Sequence, residues 1–165
     1  MNIVLKKGEK RLIPILLGSS VSSPAVIPAK AGIKGGILDP FDTQGEQVEN
    51  DRIDVVLVGE NSEVEVVGLL MAKGESQTMF EVYITHVGAR TKSRVIVKSV
   101  LRGRSTFAFR GNVKIEKGAK GADAYLRSDA LLFDDAKMGD DTPALEILER
   151  DVKAGHAATI GKVDE

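Results

Sequence analysis

"RTKSRVIVKSVLRGRSTFAFRGNVKI", residues 90–115, alternates for longer than one strand can run in a domain of this size. Val95, Val97, Leu101, Phe107, Phe109, Gly111, Val113 and Ile115 take odd positions. Arg90, Lys92, Arg94, Lys98, Arg102, Arg104, Arg110 and Lys114 take even ones, where only Ile96, Val100 and Ala108 are apolar. Period two is the strand signature, because successive side chains point to opposite faces. One parity persists from Val95 to Ile115. Laid straight at ~3.3 Å per residue that run would span roughly 70 Å, whereas a compact chain of this length has a radius of gyration of only ~15 Å. The run must bend while keeping the same side inward. Hairpins can do this; a coiled ribbon of strands does it naturally.

The same alternation extends both ways. Ile53, Val55, Leu57 and Gly59 share one parity, "GENSE" flips it, and Val64, Val66, Gly68 and Leu70 continue on even numbers. Phe80, Val82, Ile84 and His86 alternate with Glu81, Tyr83 and Thr85. Residues 3–5 and 12–17 read as short apolar strands. Lys120, Lys137 and Lys153, in "AKG", "AKMG" and "VKAG", recur at spacings of 17 and 16, a plausible coil length for a short solenoid. No segment carries a sustained helical face. The expectation is an all-β fold.

From Gly18 to Asn50 the character changes: three of the five prolines, much serine and glycine, and no periodicity. This reads as a long flexible loop or insertion, and its "PAVIPAKAGI" resembles peptides translated from bacterial palindromic repeat elements. The expected organisation is residues 1–50, N-terminal strands plus that insertion, followed by a regular core over 51–165.

A charge of −1 and a pI near 6.2 exclude a general basic field for nucleic acid. The even-numbered basic stripe lacks interleaved aromatics, so it reads as a solvated face. No apolar run approaches the ~20 residues of a membrane span. The N-terminus lacks the apolar region of a signal peptide, so a cytoplasmic location is expected. Cysteine is absent, which rules out disulfides, thiol nucleophiles and thiolate-held clusters supplied by this chain alone. No phosphate-binding loop, dinucleotide fingerprint or nucleophile–base–acid set can be assembled. The chain is therefore not expected to be an enzyme.

From about Ile53 onward the chain resembles the SufB/SufD family of iron–sulfur cluster assembly proteins, over about 110 residues. "VLVGENSEVEVVGLLMAKG", "THVGARTKS" and "FRGNVKIEKGAKGADAYLRSDALLFDDAK" are similar to successive family segments. "TPALEILERDVKAGHAATIGKVDE" resembles the family's "P-x-LEI-x-x-x-DVK-x-x-HGAT-x-G" signature and is the specific part. The resemblance implies a right-handed parallel β-helix, in agreement with the parity. It also implies a cytoplasmic scaffold whose subunits pair through their β-helices, and a histidine at the position of His156 at the cluster-building interface. Three departures stand out. The sequence ends at Glu165 without the family's ATPase-docking helices, no helical region precedes the strands, and Ala157 replaces the glycine of "HGAT".

Only two histidines are present. His86 shares the apolar parity and is expected inside. His156 shares the parity of Val152, Ala154, Ala158 and Ile160, so the first expectation is again a core histidine bonded to backbone or water. Its place on the last lap gives a second: an edge without a further coil invites a partner. There two His156 rings, with Glu146 nearby, would form a weak metal site. Asp134, Asp135, Asp140 and Asp141 could attract a hard cation but lack alternating ligand spacing, and are expected to form a turn.

The expected function is a scaffold-type component of iron–sulfur cluster assembly, without its own thiol or ATPase-docking helices. The alternative is a structural, self-associating solenoid without chemistry. A metal enzyme of the cupin or hexapeptide-helix type is disfavoured, since such sites draw on three histidines. The expected partners are a second copy at the C-terminal end of the β-helix and other Suf proteins, with no nucleic acid and no membrane. No stably bound cofactor is expected, only transient iron or an iron–sulfur cluster at a subunit interface.

Overall fold

The computed structural model describes residues 1–18, 25–26 and 48–163. Most of the expected insertion, with its "PAVIPAKAGI" resemblance, lies outside the described residues. Among those described, every regular element is a strand.

The parity run is split at Arg102 into β7 (Lys92–Leu101) and β8 (Thr106–Ile115), which lie in different sheets. The first sheet orders β1 (Asn2–Leu5), β4 (Val48–Leu57), β6 (Gln77–His86), β8 and β10 (Lys137–Ile147). The second orders β11 (Val152–Val163), β9 (Ala122–Phe133), β7, β5 (Glu63–Ala72), β2 (Lys10–Gly18) and β3 (Ala25–Val26). All pairings are parallel except β2 with β3. Apart from β3, chain order alternates between the sheets, so the ribbon winds as a parallel β-solenoid.

The corners explain the parity. Passing from the first sheet to the second flips it: Leu57 to Val64, His86 to Ser93, Ile115 to Ala122. Passing back preserves it: Ala72 to Thr78, Leu101 to Phe107. The stretch 95–115 crosses a preserving corner, which is why one face stays inward across a bend.

The lap length corrects the lysine spacing. Tyr83 pairs with Asp54 below and Asn112 above, 29 residues away each time. Lys120, Lys137 and Lys153 precede or open β9, β10 and β11, on alternate sheets. Their echo marks half-laps: each half repeats one strand and one corner.

Corners are closed by small hydroxyls. Ser62 Oγ donates to the Gly59 carbonyl at 2.7 Å, Ser76 to Lys73 at 3.1 Å, Thr91 to Gly88 at 3.0 Å and Ser105 to Arg102 at 2.9 Å. All four hydroxyl residues are buried, and the local bonds satisfy groups that would otherwise be orphaned out of water.

The inward ladders form one core. Phe80 and Phe109 stack on successive laps with ring centroids 6.0 Å apart, within the range favourable for aromatic pairs. His86 replaces an aliphatic residue in the ladder Leu57–His86–Ile115. The outer faces carry ion-pair ladders: Glu63 lies 2.9 Å from Lys10 and 3.7 Å from Lys92 on neighbouring strands.

Candidate functional site

The last described lap is formed by β10 and β11. Among the described residues, β10 pairs only with β8 and β11 only with β9, so both leave an edge unpaired. Inward positions that would be sealed in an earlier lap are only partly covered here: Met138, Leu145, Val152 and Ala154 pack against the core at its margin. Ile147 and Ile160, at 45% and 52% exposure, stand open.

His156 stands over Leu126 in register and keeps the inward parity read from the sequence. It is nevertheless exposed, which corrects the expectation of a core histidine. Parity decides which side a residue faces, but only a further lap covers that side. Its Nδ1 lies 2.8 Å from the carbonyl of Pro143 on β10, tying the two sheets together at the open end. A carbonyl can only accept, so Nδ1 is the donor and the neutral ring's lone pair sits on Nε2. Metal-binding imidazoles are commonly oriented by this same bond to a backbone carbonyl.

Glu146 is not brought to His156. It lies on the outer face of β10, 3.6 Å from Lys114, which also binds Glu116 at 2.8 Å. Among the described residues no group of three or more His, Cys, Asp or Glu side chains converges as a metal site. Ligation at the open end would need donors from outside the described residues.

His86 is fully buried, as expected. Nδ1 lies 2.7 Å from Thr91 Oγ1 and Nε2 lies 2.8 Å from Ser93 Oγ, both across the corner leaving β6. Burial drives its pKa down to about 4, with Asp123 opposing. It is a neutral structural group.

The four aspartates do not act together. Asp134 Oδ2 accepts from the Gly103 amide at 2.8 Å in a corner, and Asp135 is exposed. The register slips between Met138 and Asp140. This bulge turns Asp140 outward, where it accepts from Arg110 Nε at 3.0 Å, and turns Asp141 inward over Phe109. Both Asp141 oxygens are shielded from water without a hydrogen bond. Burial pushes this carboxyl up, the Ser128 hydroxyl opposes, and Asp140 and Asp129 add to the rise. Asp140 and Asp141 thus lie within β10 rather than in the expected turn, and the inward direction of Asp141 was not legible because a bulge has no residue signature here; the nearest signal is Gly139.

The basic stripe is largely neutralised. Arg90 pairs with Glu60, Arg104 with Glu75, and Lys92 with Glu63. Arg110 lies between Asp140 and Glu81.

Residues 41–165 match the family model described as the SUF system FeS cluster assembly SufBD core domain. The chain belongs to the SufBD core family. An iron-sulfur cluster assembly SufBD family protein of Mycobacterium tuberculosis is 35% identical over 121 residues, 73% of this chain and 14% of that protein. The iron-sulfur cluster assembly protein SufD of Bacillus subtilis is 32% identical over 129 residues, 78% of this chain and 28% of that protein. The chain thus spans well under a third of these SufBD relatives. No helix among the described residues is long and apolar enough to cross a membrane.

Proposed function

We propose that this chain is a scaffold-type component of iron–sulfur cluster assembly, a cytoplasmic homodimer that pairs through β10 and β11 and performs no catalysis of its own. Membership of the SufBD core family supports the pathway. The observation that carries the site is the bond from His156 Nδ1 to the Pro143 carbonyl, which leaves Nε2 directed by the fold and chemically free to ligate. Strand edges that are unpaired among the described residues of the same lap favour joining a second chain. A twofold pairing would place identical surfaces against each other, so the partner's copy would supply a second imidazole. Iron or a nascent cluster is the cargo. With no cysteine in the chain it is held transiently, and other Suf proteins deliver or accept it. Glu146, on the outer face, would contribute only as a carboxylate beside the joint.

Anaerobic addition of iron(II) and sulfide tests this. Charge-transfer absorption that appears with wild-type protein and is absent with His156→Ala is the expected result. Equal absorption in both proteins would refute the site. The structural alternative requires both ends to polymerise. β3 pairs with Ile15 and Leu16 of β2 and so occupies part of the opposite edge, which favours a closed dimer over a filament.

A further inference from the structure

The outer faces of the two sheets differ. That of the first is polar at its centre, with Arg52, Glu81 and Arg110 in one row across the strands and Tyr83 in the next. That of the second is apolar: Val67, Leu69 and Met71 on β5 adjoin Ile96 and Val100 on β7. Val67 and Leu69 are 38% and 42% exposed. Two further rows border this patch on one side. Lys10, Glu63, Lys92 and Asp123 alternate in sign across β2, β5, β7 and β9, and Leu12, Glu65, Arg94 and Tyr125 follow on the same strands. An open groove of about 460 Å³ runs along these two rows.

We propose that the outer face of the second sheet binds the same face of a second copy, across a twofold axis parallel to the strands and lying between β5 and β7. This pairing is independent of the β10–β11 joint. Such an axis keeps each row opposite itself and exchanges the strands, so β2 meets the partner's β9 and β5 meets the partner's β7. Lys10 then faces the partner's Asp123, Glu63 the partner's Lys92 and Glu65 the partner's Arg94, so every charge in both rows meets its opposite. Leu12 faces the partner's Tyr125, Val67 the partner's Ile96 and Met71 the partner's Val100. An axis across the strands through Val67 and Ile96 would instead set Glu63 over the partner's Met71 and Lys92 over the partner's Val100, stranding both charges.

Lys98 faces the partner's Leu69. Its methylenes cover that side chain while its ammonium stays beside Asp129, the register neighbour on β9. The area is sufficient for a specific contact. β5 and β7 are ten residues long, and four strands ~4.8 Å apart offer roughly 600 Å² of flat face per copy. The pair would bury on the order of 1,200 Å², the lower bound for a specific interface.

Glu65 and Arg94 supply the test, because both are exposed and neither forms an ion pair among the described residues. Sedimentation equilibrium over a concentration series compares wild type, Glu65→Arg, Arg94→Glu and an equimolar mixture of the two variants. Each variant alone sets like charges against each other twice across the joint and should weaken association by about tenfold or more. In the mixture, unlike copies bring opposite charges together, and association should return to the wild-type level. Like-charged neighbours within each chain persist in the mixture, so recovery reports contact between copies rather than a change in folding. Val67→Asp, at the apolar centre, should abolish this association with its unfolding midpoint kept. Equal association in all four samples would overturn the face pairing and leave the β10–β11 joint standing. Weakening in both variants without recovery in the mixture would overturn the twofold arrangement. Wild type that stays monomeric would overturn the pairing outright, and a lowered midpoint in monomeric Val67→Asp would give the face to another segment of the same chain.

Discussion

The imidazole of His86 and the hydroxyl of Ser93 lie 2.8 Å apart on opposite sides of one corner, with Thr91 completing the second ring nitrogen. Because the pKa of His86 is lowered to about 4 from 6.5, the unfolded chain binds its proton more readily than the folded one. Stability from this group is full above pH 6.5 and is lost as pH falls toward 4. The loss should approach about 3 kcal/mol, on the order of 1.4 kcal/mol per unit. Urea midpoints at pH 7.5, 5.5 and 4.5 measure it. His86→Leu, matching its ladder neighbours Leu57 and Ile115, should flatten the slope.

Gly111 accommodates Leu126 from the facing sheet. A methyl group on Gly111 would come within 2.4 Å of Leu126 Cδ1. Gly111→Ala should destabilise the core by about 1–3 kcal/mol, the usual cost of overpacking. Combining it with Leu126→Ala should cost less than the sum of the two single changes, because the larger side chain is the obstacle. Denaturant unfolding of the three variants provides the cycle.

Two corner glycines share a conformation but not surroundings. Gly74 and Gly103 have φ of 68° and 71°. A Cβ on Gly74 meets nothing within 4 Å, whereas one on Gly103 meets the Gly74 backbone at 3.0 Å. Gly74→Ala should cost about 1–2 kcal/mol, the left-handed penalty alone. Gly103→Ala should cost more, and equal midpoints for the two variants would refute the stacking argument.

His156→Ala should leave the unfolding midpoint of the monomer nearly unchanged, within about 0.5 kcal/mol, because the ring is exposed and makes one hydrogen bond. A large stability loss would instead make the Pro143 tie structural.

Alternation alone determined most of the fold. The parity of Ile53–Leu57, Val64–Leu70, Phe80–His86 and Val95–Ile115 is the inward face found in the solenoid, because a strand's side chains have a fixed period of two. The absence of cysteine likewise limited the chemistry before any coordinates. Lap length was not legible: the lysine echo repeats with each strand and corner, and only strand pairing distinguishes half a lap from a whole one. Tertiary structure also decided the open end. His156 and Asp141 differ from buried residues of the same facing only by what lies above them, and the Gly139 bulge that turns Asp141 inward exists only as register against β8. Side-chain direction is a local property of the backbone, whereas coverage depends on neighbours distant in sequence.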